Sequence, residues 1–232
     1  MRVTAIVLAA GEGRRLGANI PKAFVPLAGR PLAFRSLERI FSVPAIEQVV
    51  LVLPAGEIER CEALLKTDPA LRDRRCNLQV GGPTRRQSAK RGLEKAGGQS
   101  DLILIHDAAR PFVSADLINR CIETAMIRDA VVPGLPVRDT IKVVAHDHRV
   151  ERTLARDSLW EIQTPQVFRR EVIVAAHENA ERAGVDLSDD ALAVEQYGKR
   201  VFIVEGERMN FKITVAEDLW LAELLLREGR VS

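Results

Sequence analysis

"LILIH" at residues 102–106 and "VVLVL" at residues 49–53 are the runs whose reading decides the fold. Neither alternates apolar with polar side chains, so a strand made from either has no face for water. Strands apolar on both sides need cover on both sides, which is the arrangement of a largely parallel sheet flanked by helices. Working outward, strands are expected at 3–8, 48–53, 77–80, 102–106, 130–132 and 201–204. Helix-period stretches lie between and after them, at 31–41, 57–66, 86–95, 115–128, 171–183, 191–197 and 216–227. The expectation is an open α/β fold with a mostly parallel sheet, read as a single domain over residues 1–232. In such sheets ligands sit beyond the carboxyl ends of the strands, so chemistry-bearing residues are sought there.

Composition narrows the function. The 232 residues are 47% hydrophobic, ample for a buried core without staples. Thirty-four basic against 32 acidic side chains leave a net charge of +2, which implies no broad electropositive surface for nucleic acid. Cys61, Cys76 and Cys121 are odd in number and widely spaced, with no CxxC pair. That pattern suits a reducing cytoplasm. With no signal-peptide pattern and no apolar run near ~18 residues, a soluble protein without membrane attachment is expected.

Residues 133–168 break the α/β rhythm. They suggest strands at 140–144 and 150–154 joined by a polar turn, an inserted β-arm. A lone two-stranded ribbon is marginal in water, so Ile141, Val143, Val150 and Leu154 need a second surface. Either a partner subunit supplies it or the hairpin folds back on its own sheet.

The first strand leaves through "LAAGEGRRLGANIPKAF" at residues 8–24. Its glycines, spaced GxGxxxG, miss the dinucleotide-binding spacing, and Lys22 falls too late for a P-loop. What remains is a glycine loop whose N–H groups can face an anion, with Arg15 and Lys22 beside it; the alternative is a surface loop with solvated charges. "GGPTRRQS" at residues 81–88 follows the third strand and by itself is a turn with a helix cap. "HDAARP" at residues 106–111 puts Asp107 at a strand end, as a helix cap or a magnesium ligand, with Arg110 close behind. In "NFKIT" at residues 210–214, Lys212 sits among apolar neighbours, where an unpaired ammonium is costly. It should point into a polar crevice.

Arg15, Lys22, Arg110 and Lys212 thus surround one carboxylate. No serine or cysteine with a positioned base is visible, which disfavours a covalent hydrolase. His146, Asp147 and His148 could hold a metal only from a predicted hairpin turn, and His106 and His177 are read as structural. Many cations, one carboxylate and no evident base suit a nucleophile that is already an anion, as in phosphoryl or nucleotidyl transfer.

"AAGEGRRLG", "PKAF", "GGPTRRQS", "HDAARP", "VRDT", "TPQ" and "NFKIT", in this order over nearly the whole chain, resemble the 2-C-methyl-D-erythritol 4-phosphate cytidylyltransferase family. The resemblance implies a Rossmann-like nucleotidyltransferase sheet with a protruding arm, and transfer of CMP from CTP to the methylerythritol phosphate with Mg²⁺. It implies a homodimer whose arms cross. By matching positions, Ala9, Ala10, Gly11, Gly82 and Ser88 would hold the nucleotide. Arg15 and Lys22 would stabilise the α-phosphate, and Lys212 would bridge the reacting phosphates. Asp107 would bind magnesium and the substrate diol, while Thr140 and Arg156 on the arm, with Arg110, would bind the polyol phosphate. Ala23 and Pro83 depart from the family pattern, where Gln and Asp are common. The competing readings are a ribitol 5-phosphate cytidylyltransferase and a nucleotide-binding regulator without turnover.

Overall fold

The computed structural model describes residues 1–11, 13–17, 20–185 and 187–231, with the backbone alone for Arg14. Its main sheet has eight strands: β1 (Val3–Leu8), β4 (Ile46–Leu53), β5 (Cys76–Val80), β6 (Leu102–Asp107), β7 (Ala130–Pro136), β10 (Trp160–Ile162), β11 (Gln166–Arg169) and β12 (Phe202–Glu205). Two minor ribbons pair β2 (Pro26–Leu27) with β3 (Arg30–Pro31), and β8 (Lys142–Val144) with β9 (Val150–Thr153). The helices are α1 (Leu32–Phe41), α2 (Ile58–Thr67), α3 (Arg85–Ala96), α4 (Ala115–Arg128), α5 (Arg170–Arg182), α6 (Asp190–Gln196) and α7 (Ala216–Arg227).

Along the sheet β7, β11, β6, β1, β4 and β5 are successive neighbours, and β12 runs parallel to β7. β1 is parallel to β4 and β6, and β4 to β5. Successive residues of the central strands feed two separate cores, as the doubly apolar runs require. Ala5, Val7, Leu51 and Leu104 pack with Leu37 of α1 and Leu117 and Cys121 of α4. Ile6, Val50, Val52, Ile103 and Ile105 pack on the other face with Leu93 of α3, Ile173 of α5 and Val194 of α6. Cys61 and Cys121 are buried and Cys76 half-buried; burial pushes all three thiols up to about 12. Among the described residues no helix is long and apolar enough to cross a membrane.

Two expectations need correction. The arm is smaller than residues 133–168: the ends of that segment are built into the main sheet, because β10 pairs antiparallel with β7 and β11 pairs antiparallel with both β6 and β7. What protrudes is the β8–β9 ribbon, shorter than expected at residues 140–144 and 150–154. It forms a sheet of its own and does not fold back as a ninth strand. β9 is exposed along its whole length, and Ile141, Val144 and Val150 are exposed to water.

Helix α3 lies so close to the sheet that an added Cβ at Gly92 would stand 2.5 Å from Ile6 Cγ2 and 3.2 Å from Val52 Cγ2. Gly92→Ala gains ~1 kcal/mol of helix propensity but overpacks the fully buried Ile6 and Val52, which costs ~1–3 kcal/mol. The expected net result is a lowered Tm in thermal denaturation, and an unchanged or raised Tm would mean that α3 shifts freely.

Candidate active site

The chain leaves β1 toward β4 and β5 on one side and later places β6 on the other. The carboxyl ends of β1 and β6 therefore flank a topological switch point, where an open α/β sheet offers a crevice. Asp107 is the last residue of β6, opposite Leu8 at the end of β1.

From Leu8 the chain enters the glycine loop, tied to the sheet where Ala9 N–H donates to the Val52 carbonyl at 2.8 Å. Gly13 has φ +72°, and a Cβ there would lie 2.8 Å from Lys22 Cβ. Only glycine lets the loop lie against Lys22 in this way. Pro21 then leads into a single turn, Lys22–Phe24, anchored by the buried Ala23 and Phe24. Burial, with the charges of Lys212 and Arg15, lowers the Lys22 ammonium to about 8, although Asp107 pulls the other way. Those couplings, with that of Asp218, place Arg15, Lys22, Asp107, Asp218 and Lys212 in one electrostatic cluster.

A second wall comes from the turn after β5. Gly81 N–H donates to the Leu53 carbonyl at 2.7 Å, and a Cβ on Gly81 would meet Ala10 Cβ at 2.6 Å, so the two loops touch. Thr84 caps α3 in a capping box with Gln87. The Ser88 hydroxyl accepts from Gly82 N–H at 3.1 Å and donates to the Gly82 carbonyl at 3.2 Å. It fixes the glycine turn and presents no free hydroxyl. Gly11 is exposed at the mouth of the first loop.

Asp107 does not cap a helix through its side chain. Its Oδ2 accepts from Lys212 Nζ at 2.7 Å and its Oδ1 faces Arg85 Nη2 at 3.4 Å. Burial alone would push the carboxyl up; Arg85, Lys212 and Arg110 outweigh it and hold the group well below the usual carboxylate range. Lys212 reaches this site because the preceding Asn210, fully buried, donates to the Thr164 carbonyl at 2.8 Å, while Ile213 N–H donates to the Ala109 carbonyl at 2.8 Å. Arg110 Nη1 donates to the Asn210 carbonyl at 2.8 Å, stapling the same loop to the end of β6.

Thr164 joins the set, two residues before the Gln166–Arg169 strand. Its Oγ1 accepts from Asp107 N–H at 3.1 Å and lies 3.0 Å from His106 Nδ1. His106 Nε2 lies 3.0 Å from the Arg110 carbonyl, which can only accept, so that nitrogen carries the proton and Thr164 donates to Nδ1. Burial lowers His106 to about 4, consistent with a neutral ring. His177 is buried against Asp190 at 3.0 Å. Both histidines are structural parts of the fold.

The structure brings Arg15, Lys22, Asp107, Arg110 and Lys212 to one crevice, with Ala9, Ala10, Gly11, Gly82 and Ser88 in its adjoining loops. Thr140 and Arg156 lie elsewhere, exposed at the base of the arm, where Arg156 Nη1 donates to the Arg138 carbonyl at 3.1 Å. Sequence reasoning missed Arg85 and Thr164. Arg85 looks like an ordinary first-turn arginine, and its partners are remote in sequence; for Thr164 the signal was its place in "TPQ". Among the described residues no three His, Cys, Asp or Glu side chains converge as a metal cage. His146, Asp147 and His148 occupy the arm's turn. Asp107 at the end of β6 nonetheless fits Mg²⁺, which keeps most of its waters and is commonly held by one or two carboxylates plus substrate phosphates.

A cation-lined crevice with one carboxylate at the switch point of an α/β sheet defines a class of enzyme that handles nucleotide phosphates. A family model described as 2-C-methyl-D-erythritol 4-phosphate cytidylyltransferase matches residues 3–228, and the chain belongs to that family. A curated member from Geobacter metallireducens is 41% identical over 98% of this chain and 99% of its own, and one from Geobacillus kaustophilus is 41% identical over 97% of both. The crystal structure of 2-C-methyl-D-erythritol 4-phosphate cytidylyltransferase from Thermus thermophilus superposes with a TM-score of 0.80 at 37% identity, covering 98% of this chain and all of that one. That of 4-diphosphocytidyl-2C-methyl-D-erythritol synthase from Anaerococcus prevotii gives 0.85 at 30% identity, over 97% and 98%.

Proposed function

We propose that the chain transfers CMP from CTP to 2-C-methyl-D-erythritol 4-phosphate, giving 4-diphosphocytidyl-2-C-methyl-D-erythritol and pyrophosphate. The observation that carries this reading is the convergence of Lys22, Lys212 and Asp107 at the β1–β6 switch point, in a member of this family. The nucleophile is the substrate's phosphate monoester, whose second pKa near ~6 makes it largely dianionic at pH 7. A base is unnecessary. Attack at the α-phosphorus concentrates negative charge at a five-coordinate centre, where Lys22 and Arg15 respond most strongly. Lys212 bridges the reacting phosphates, and backbone groups around Ala10, Gly11 and Gly82 read the cytosine.

Asp107 accepts from the substrate hydroxyls at Oδ1, while the incoming phosphates draw Lys212 away from Oδ2. With Asp107 and the nucleotide phosphates as its ligands, Mg²⁺ would supply charge neutralisation on the triphosphate. The protein works in the reducing cytoplasm as a homodimer. The exposed apolar side of the β8–β9 arm rests on the partner, and Thr140 and Arg156 complete the partner's polyol-phosphate pocket, assisted there by Arg110.

The test is pyrophosphate release with CTP, Mg²⁺ and either methylerythritol 4-phosphate or ribitol 5-phosphate. Rapid release only with the first, and only with CTP, is expected. Equal turnover with ATP or a preference for ribitol phosphate would overturn the assignment. Because no three acidic, histidine or cysteine side chains converge among the described residues, calorimetric titration should detect Mg²⁺ binding with CTP present and none at millimolar Mg²⁺ without it.

A further inference from the structure

Asp190 is 1% exposed at the start of α6, yet it does not cap that helix. Its neighbour Asp189 does, accepting from Leu192 N–H at 3.0 Å. The Asp190 carboxylate is spent on other groups: Oδ2 takes Arg85 Nη1 at 2.7 Å and Oδ1 faces His177 Nε2 at 3.0 Å. Gln166 clamps its backbone, with Oε1 accepting from the N–H groups of Asp190 at 3.2 Å and Ala191 at 3.1 Å, while Nε2 donates to Asp189 Oδ2 at 2.7 Å. A buried carboxylate with both oxygens committed and its backbone fixed is a rigid anchor.

Arg85 stands between two carboxylates and is shared unequally. It contacts Asp190 at 2.7 Å but Asp107 only at 3.4 Å, beyond the ~2.7–2.9 Å of a full charge-assisted bond. Asp107 meanwhile gives Oδ2 to Lys212 at 2.7 Å, so Oδ1 is the oxygen with capacity to spare. A guanidinium left to Asp107 alone would close on it as a two-pronged pair and take both oxygens.

We infer that Asp190 is a positioning residue: it holds Arg85 back from Asp107 and so keeps Asp107 Oδ1 open for the polyol hydroxyls. Arg85 stands beside Asp107 Oδ1 at 3.4 Å without occupying it. The inference rests on the proposed role of Asp107 in binding the polyol phosphate, and extends it to two residues that act through Asp107.

Asp190→Asn removes the competing charge while preserving shape. In a crystal structure of the ligand-free variant, Arg85 should move onto Asp107 Oδ1, with the 3.4 Å separation falling to about 2.9 Å. In kinetics the KM for the polyol phosphate should rise about 10- to 100-fold, the range typical of outer positioning groups. The KM for CTP, read at saturating Mg²⁺, should change by less than about 2-fold, since the nucleotide keeps its contacts to the two glycine loops. Arg85→Gln in the same chain should bring the polyol KM back to within about 3-fold of wild type, because no guanidinium is left to close on Asp107. This double variant is neutral on both sides, so it tests the idea even where Asp190→Asn alone fails to fold. An unmoved Arg85, a parallel rise in both KM values, or a double variant impaired more than 10-fold would each overturn the inference. Failure of the underlying functional reading would show differently, as absent pyrophosphate release by the wild-type enzyme, whereas the movement of Arg85 is seen without substrate.

Discussion

Lys22→Ala is expected to lower kcat by ~10²–10³ with little change in either KM, because a donor aimed at charge that develops during reaction acts chiefly in the transition state. The same lysine sets a pH limit. Its ammonium, lowered to about 8 from an ordinary 10.5, is charged below that pH and lost as pH rises through it. In the free enzyme, kcat/KM for CTP should therefore fall above about pH 8, while the kcat limb lies higher because bound phosphates restore the proton's affinity. Stability follows with the opposite sense. Between about 8 and 10.5 the unfolded chain holds a proton at Lys22 that the folded chain has lost, so stability rises with pH across that window. Lys22→Met should abolish this rise and raise the Tm at pH 7 by a few degrees. A variant at Lys22 that kept near-normal kcat would show that the charge at the α-phosphate comes from elsewhere.

Mixing Lys22→Ala with Arg156→Ala should restore activity that neither variant has alone. If each pocket takes Lys22 from one chain and Arg156 from the other, a mixed dimer has one doubly defective pocket and one intact pocket. Random exchange of equal amounts makes about half the dimers mixed, so activity should return to about a quarter of wild type. The measurement is unfolding, joint reassembly and assay at limiting polyol phosphate, where Arg156→Ala alone acts by raising KM. Recovery no better than the mean of the two parents, with exchange verified by mass, would place Arg156 in its own chain's pocket. The exposed Ile141, Val144 and Val150 give the structural reason to expect exchange of arms.

Much of the fold was legible because burial writes itself into periodicity. The helix at 115–128 is found with those bounds, since its 3.6-residue pattern buries Leu117, Ile118, Cys121, Ile122 and Ala125; the helix at 216–227 also keeps its bounds, although Ala222 is the one residue it buries. β10 and β11 were missed because they are three and four residues long, are separated by Gln163, Thr164 and Pro165, and because β11 opens on the polar yet buried Gln166 while β10 is exposed. Lys212 was legible as an ammonium needing a polar destination, and the structure pairs it with Asp107. Arg85 and Asp190 were not legible. Each opens a helix, where charged residues are routine, and the contact joining them spans 105 residues of chain.

The three cysteines bear on how the arm can be watched. With every native thiol pushed to about 12, the thiolate fraction at neutral pH is on the order of 10⁻⁵. A cysteine introduced at the exposed Glu151 of the β8–β9 ribbon would ionise near its ordinary value and react thousands of times faster. One fluorophore could then be attached at a chosen point without first stripping the protein of its own sulfur. Its emission would report the arm leaving water for a neighbouring surface, in real time and independently of turnover.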